Sequence, residues 1–322
     1  MSGPPVDVAV GILRDAQHKV LLGQRPAGKS YAGFWEFPGG KLEPGESVAA
    51  ALTRELREEL DIGVGASTPL LTLIHHYPEY SVRLLIREVS DFQGEARARE
   101  GQQLAWVSPE ALCDWKLLPA DGPIVTAIRL PAHYVFTPES ATVAEITLGL
   151  AQLPAGALLR LRLPRLGDAD YKVAAEQLLP VATARGIAVM LDRQPDWVSE
   201  LGAAGLHLTQ RRLLQAPEIR RQLPSSCWLA GSVHDAGAAV SIPAELDFAV
   251  MGPLQSTNTH PDAVGMGWSR FAELLAKAQL PIYAIGGLAA TDVPKARQAG
   301  AQGVAGISAY WSGAAGGGKS SS

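Results

Sequence analysis

Two kinds of apolar run divide this chain. From Val6 to Val107 the runs are short and bounded by turn residues. Val6–Leu13 and Val20–Arg25 are separated by Asp15-Ala16-Gln17-His18, which reads as a hairpin-like connection; Leu70–His75, Val82–Val89 and Leu104–Val107 follow as further strands. Between them lies a loop rich in glycine and proline, Phe37-Pro38-Gly39-Gly40, and then a stretch from Ser47 to Leu60. Leu52, Leu56 and Leu60 recur there at intervals of four, which is helical spacing. A second, shorter helix is expected over Pro123–Arg129. Many strands with few helices predict an α+β sandwich.

Beyond Ala132 the pattern changes. Eight apolar runs alternate with helix-length segments: Tyr134–Phe136, Leu158–Leu163, Ile187–Leu191, Gly205–Leu208, Trp228–Ser232, Phe248–Gly252, Ile282–Ile285 and Val304–Ile307. Runs that are apolar throughout belong to strands buried on both faces, the mark of a parallel sheet. Eight such repeats predict an α/β fold, a compact (β/α)₈ TIM barrel. The expected organisation is therefore an α+β domain over residues 1–131, a barrel over 132–312 and a disordered Gly/Ala/Ser tail over 313–322. Within that tail Gly313 to Ser320 fits the P-loop pattern formally. A P-loop needs a strand before it and a helix after it, so this stretch is not read as a nucleotide site.

A length of 322 residues accommodates two cores. With 47% hydrophobic and 19% charged residues the composition is that of a globular protein. Cys113 and Cys227 form neither a disulfide framework nor a zinc motif, which fits a reducing, cytoplasmic setting. No basic segment followed by an apolar run opens the chain, and nowhere do eighteen apolar residues run together, so no membrane partner is expected. Residues 1–131 hold 13 Lys and Arg against 17 Asp and Glu; the rest holds 15 of each. A nucleic-acid polymer calls for a basic face, and none is evident. An acidic half that handled phosphates would need metal ions to neutralise them. The oligomeric state is not legible in these features.

The candidate chemistry sits on the first helix. Glu55, Glu58 and Glu59 stand at i, i+3 and i+4, which gathers three carboxylates on one face. Such a cluster is self-repelling, and hard divalent cations relieve it. The Gly39-Gly40 turn before the helix lets backbone oxygens approach the same ion. A solvated face stitched by pairs such as Arg54–Glu58 is the plainer alternative. The spacing Gly40-x5-Glu46-x7-Arg54-Glu55-Leu56-x-Glu58-Glu59-x-Asp61-Ile62 resembles the Nudix box, with one departure: Asp61 stands where that family has glycine. The departure touches the helix cap, where Asp tolerates a left-handed conformation, and leaves the carboxylates intact.

Gly23-Gln24-Arg25 and Trp35-Glu36-Phe37-Pro38-Gly39-Gly40-Lys41 resemble the MutT branch of Nudix hydrolases, as do Glu100-Gly101-Gln102 and Leu118-Pro119-Ala120-Asp121. The resemblance implies Mg²⁺, with Mn²⁺ as a substitute, held by Glu55, Glu58, Glu59 and the Gly39 carbonyl. It implies Glu55, Glu58 and Glu100 as catalytic, with Glu100 or Glu55 acting on the attacking water. Substrate contacts are implied for Arg25, Ser30, Glu36, Phe37, Pro38, Gly39 and Asp121. Arg25 suits a phosphate or a strand-end surface position, and Phe37 suits a nucleoside wall or the core. His75 and His76 read as packing or surface residues. Asp121 replaces an asparagine that contacts the purine edge; an ionised aspartate accepts but cannot donate to O6. The implied reaction is hydrolysis of a nucleoside triphosphate, 8-oxo-dGTP, to 8-oxo-dGMP and pyrophosphate.

From Tyr134 to Tyr310 the chain resembles thiamine-phosphate synthase. The marks are Gly205-Leu-His207-Leu-Thr-Gln210, Gly231-Ser-Val-His234, Gly252-Pro253 with Thr257-Asn258-Thr259, and Ala284-Ile-Gly286-Gly287-Leu288. The resemblance implies a phosphate site at Gly286, Gly287 and Ser308. Several polar and charged groups that the synthases carry are replaced: Leu191 precedes Asp192 in place of an asparagine, Ala204 replaces an acid, Arg211-Arg212 stands for another, Arg160-Leu-Arg162-Leu-Pro164 lacks the lysine of an arginine–x–lysine pair and His260 replaces a second lysine. The barrel is accordingly expected to be degenerate, a phosphate-binding, ligand-sensing or scaffolding module. The rival expectation is an active synthase served by a hydrolase of thiamine-precursor pyrophosphates.

Overall fold

The computed structural model describes residues 3–234, 242–255 and 265–311. The 313–322 tail with its P-loop-like run, and Thr257, Asn258, Thr259 and His260, lie outside the described residues. The chain divides into two compact units. The first is Met1–Arg129 together with the short segments Leu275–Pro281 and Arg297–Ala301; the second is the remainder.

In the first unit, β1 (Val6–Leu13), β2 (Val20–Gln24), β3 (Trp35–Glu36) and β4 (Gly39–Lys41) precede helix α1 (Val48–Leu60). The strands β5 (Gly63–His76), β6 (Ser81–Gln93) and β7 (Leu104–Val107) follow, and α2 (Gly122–Arg129) closes the unit. They form a four-stranded sheet in the order β4-β1-β6-β5 and a three-stranded sheet β3-β2-β7. The hairpin-like connection expected between β1 and β2 is confined to its turn. Asp15 makes the turn, its Oδ1 accepting from the Gln17 and Lys19 amides at 2.9 Å. Beyond the single bridge Arg14–Val20 the strands part into different sheets. The reason is that β1 finds its long partner elsewhere, running parallel to β6 from Val6 to Leu13.

Helix α1 begins at Ser47, whose side chain accepts from the Ala50 amide at 3.2 Å. An oxygen at this position satisfies one of the donors that every helix start leaves free. The helix ends at Asp61, with φ 60° and ψ 29°, its amide bonded back to the Arg57 carbonyl. The left-handed cap expected there is thus made by an aspartate. Leu52, Leu56 and Leu60 are all but fully buried against Ala9, Leu13 and Leu21. Burying a leucine removes about 1.5–3 kcal/mol of exposure cost, so this stripe holds the opposite, acidic face in register with the loop at Gly39.

In the second unit eight parallel strands close a barrel: β8 (His133–Phe136), β9 (Leu158–Arg160), β10 (Ala188–Leu191), β11 (Gly205–Leu208), β12 (Trp228–Val233), β13 (Phe248–Met251), β14 (Ile282–Ile285) and β15 (Gly303–Gly306). Each falls on an apolar run named above. Tyr134, Phe248 and Tyr283 meet in the interior with ring centroids 5.5–5.7 Å apart. His207 is fully buried there between the Tyr134 hydroxyl at 2.9 Å and Ser232 Oγ at 2.8 Å. No helix of the described residues is long and apolar enough to cross a membrane.

Candidate active site

Beside the acidic end of α1 lies a cleft lined by Glu36, Phe37, Pro38, Gly39, Glu59, Glu100, Gln102 and Lys29, among others. The strand β4 brings Gly39 and Gly40 against β1, and both approaches are closer than a side chain allows without a shift. A Cβ on Gly39, whose φ is 145°, would stand 2.1 Å from the Ala9 carbonyl oxygen. A Cβ on Gly40 would stand 2.1 Å from Glu55 Cδ. The second clearance is occupied by the Glu55 carboxylate itself, which therefore lies flat against the loop.

Arg54 fixes that arrangement. Its guanidinium bonds Glu46 at 2.9 Å, Glu55 at 2.8 Å and the Lys41 carbonyl at 3.1 Å. Glu58 stands 3.7 Å from Arg54 and its side chain is 63% exposed, so it faces solvent while Glu55 and Glu59 face the loop. Glu59 accepts a hydrogen bond from the Gly39 amide, yet burial first, then the charges of Glu55, Glu100 and Glu36, pushes its carboxyl up to about 7. Glu55, Glu36 and Glu100 each have a cation partner, in Arg54, Arg25 and Lys29, whereas among the described residues no cation offsets the charges around Glu59. Among the described residues no three His, Cys, Asp or Glu side chains already stand in ligating positions. The donors nevertheless suit a divalent ion in kind: hard carboxylate oxygens beside a glycine turn.

Arg25 is committed within its own loop. Its Nη1 is 2.6 Å from Glu36 Oε2 and its Nε donates to the Ser30 carbonyl at 2.7 Å. Ser30 thus enters through its backbone. Burial raises the Glu36 carboxyl despite this partner. Phe37 is 5% exposed within a core cluster, the second of the two positions open to it. Its amide donates to the carboxyl of Asp121. The Pro38 carbonyl accepts from the Gly11 amide at 2.9 Å, which anchors the turn. His76 bonds Ser81 and His75 packs on Tyr77, both structural.

Asp121 is the least expected feature. It is 5% exposed and its Oδ2 has no hydrogen-bond partner. Burial, then the charge of Glu36, holds its carboxyl well above the usual carboxylate range. A protonated carboxyl donates as well as accepts, so the limitation of an ionised aspartate at O6 is lifted. Beside it an aromatic group gathers: Tyr77 stacks on Tyr80 at 4.9 Å and meets Tyr31 at 6.0 Å. Burial, then the proximity of Tyr80 and Asp121, pushes Tyr77 up to about 12. Neither these tyrosines nor Lys29 was marked by sequence reasoning. Lys29 Nζ is 2.5 Å from Glu100 Oε2, across 71 positions of chain, and no local signal carries such a pairing.

In the barrel, Gly286 and Gly287 have φ 108° and 70°. Cβ atoms there would meet Pro253 and Gln255 respectively, so packing alone already demands glycine. Ser308 opens the short final helix Ser308–Trp311. Leu191 is fully buried and Ala204 packs on the interior cluster. The retained acid Asp192 is tied to Arg160 at 3.1 Å, both nearly buried. Arg212 donates to the carbonyls of Asp192 and Arg193.

Comparison with known proteins agrees with both halves. A family model for the NUDIX domain matches residues 9–127, and one for thiamine monophosphate synthase matches residues 133–310. CTP pyrophosphohydrolase of Escherichia coli (strain K12) is 46% identical over 123 residues, 37% of this chain and 87% of that protein. An 8-oxo-dGTP diphosphatase of Proteus vulgaris is 38% identical, over 31% of this chain and 90% of its own length. A thiamine-phosphate synthase of Methanoculleus marisnigri is 34% identical over 55% of this chain and 85% of its own length.

Proposed function

Because the chain belongs to the Nudix family in its N-terminal part and to the thiamine monophosphate synthase family in its C-terminal part, we propose that its Nudix hydrolase domain cleaves nucleoside triphosphates to monophosphate and pyrophosphate. The observation that carries this reading is the gathering of Glu55, Glu59 and Glu100 about the Gly39 turn, close enough that their charges and burial push the Glu59 carboxyl up to about 7. In the proposal Gly39, Glu55, Glu58 and Glu59 hold Mg²⁺. When bound, that ion screens the phosphate charge and supports the charge that develops on the leaving group. Arg54 orients Glu55, and Glu100 accepts the proton of the attacking water.

The base is read at Asp121. With one oxygen occupied by the Phe37 amide, the free Oδ2 of a neutral carboxyl offers a proton to an acceptor on the base edge. The O6 of 8-oxo-dGTP provides such an acceptor, and that nucleotide is the proposed substrate. A second reading is favoured by the relative that is 46% identical: N3 of a cytosine nucleotide is also an acceptor, and that relative is named for CTP. The barrel is proposed to bind a phosphate or a partner without making thiamine phosphate, since Asp192 is held by Arg160 and neighbouring acids are replaced.

A panel of 8-oxo-dGTP, dGTP, CTP and hydroxymethylpyrimidine pyrophosphate, compared by kcat/KM, tests this. Preference for 8-oxo-dGTP over dGTP is expected. Equal values for the two would remove the sanitising role, and preference for the pyrimidine pyrophosphate would install the thiamine-linked one.

A further inference from the structure

The cleft carries more negative than positive charge. Among its lining residues Glu36, Glu59 and Glu100 are acidic and Lys29 is the only cation. Arg25, the other cation nearby, is spent on Glu36 and the Ser30 carbonyl. Lys29 is held differently. Among the described residues its ion pair is to Glu100, and it joins side chains that are 48% and 43% exposed. Water competes well for both members of such a pair, so it opens at little cost. Lys29 rides on a loop that turns at Gly28 and Gly33, both with positive φ, where added Cβ atoms would meet nothing within 4 Å. The ammonium is thus on an open loop, at the cleft, paired with one half-exposed carboxylate.

We propose that Lys29 receives the distal phosphates of the substrate and releases Glu100 as it does so. This rests on the nucleoside triphosphate reading above. A terminal phosphate presents more charge and more acceptor oxygens than one carboxylate, and charge-assisted bonds to it are stronger. Exchange of partner is therefore favoured once a triphosphate enters. Glu100, which lines the same cleft, is left with oxygens free to accept from a water molecule. Binding of the far end of the substrate thereby makes the candidate base available. A monophosphate lacks the distal groups and leaves the Lys29–Glu100 pair closed.

Calorimetric titration of the full chain, in Mg²⁺, with a non-hydrolysable α,β-methylene nucleoside triphosphate and with the matching monophosphate tests this. Lys29→Met is expected to weaken triphosphate binding about tenfold and leave monophosphate binding unchanged, while Lys29→Arg stays within about threefold of wild type. Glu100→Gln is expected to tighten triphosphate binding, and that gain should vanish in the Lys29→Met background. A gain that survives there would mean simple relief of repulsion and overturns the exchange. Undiminished triphosphate binding by Lys29→Met, or an equal loss for both ligands, overturns the role of Lys29 while the nucleotide reading stands. A wild-type protein that binds neither ligand overturns the nucleotide reading and this role together.

Discussion

Gly39 and Gly40 are neighbours, yet the structure separates what each does. In Gly40→Ala the new Cβ would lie 2.1 Å from Glu55 Cδ and 2.2 Å from its Oε1. An ordinary contact is roughly 3.5 Å, so the carboxylate must retreat by roughly 1.4 Å. A misplacement of that size costs about a hundredfold in turnover. The stability cost is small. Gly40 does not occupy the left-handed region, and the obstructing atoms are the end of a flexible side chain. Weakening the solvent-screened Arg54–Glu55 pair costs little, and the stiffer unfolded chain offsets it by about 0.4–1 kcal/mol. Gly39→Ala is the contrasting case. Its φ of 145° and the Ala9 carbonyl 2.1 Å away set backbone against backbone. Strain of about 1–3 kcal/mol and overpacking of similar size should lower Tm by several degrees, at about 2–8 °C per kcal/mol. Steady-state hydrolysis and a thermal melt of both variants check this. Gly40→Ala with more than half of wild-type turnover, or with a Tm loss equal to that of Gly39→Ala, would refute the placement of Glu55.

The other predictions concern titration and the barrel. Asp121 has a folded pKa above its unfolded value of about 3.9, so its contribution is fully present below that value and is lost as pH rises. In urea unfolding, Asp121→Asn should therefore gain stability relative to wild type as pH rises from about 4, and a pH-independent difference would contradict the neutral carboxyl. His207 is displaced the other way, its pKa lowered by burial and then by the charge of Arg160. Wild-type barrel stability should fall as pH drops below about 6.5, more steeply than in His207→Gln; parallel curves would refute it. The full chain, given both thiamine precursors and Mg²⁺, should form no thiamine phosphate by chromatography, and formation at the rate of a true synthase would reverse the reading of the barrel.

The apolar runs were sufficient to place all eight barrel strands, because each is buried on both faces and leaves an unbroken apolar signature. The α1 boundaries were equally legible, from Ser47 at one end and the Leu52-Leu56-Leu60 stripe within. The β1–β2 connection misled. Asp15 builds a real turn, but the partner of β1 is decided by β6, some seventy positions away, and turn chemistry does not contain that information. The acidic helix was readable as chemistry, whereas the split between inward Glu55 and Glu59 and outward Glu58 follows from packing. Asp121 was legible as a candidate base contact, but not as a buried carboxyl. Its burial arises where the segment before α2 meets Phe37, and only that apposition changes its protonation. Lys29 stayed hidden for the same reason, since its partner Glu100 is brought to it by the fold.

One measurement addresses the central claim most directly. Wild-type protein is incubated with a nucleoside triphosphate and Mg²⁺, samples are quenched, and the phosphorus-containing products are resolved by ³¹P spectroscopy, with and without EDTA and for Glu59→Gln. Equimolar monophosphate and pyrophosphate are expected, with formation abolished by EDTA and at least about a hundredfold slower in Glu59→Gln. Diphosphate with orthophosphate as products, or undiminished turnover in EDTA, would contradict the assignment of the Gly39–Glu59 site.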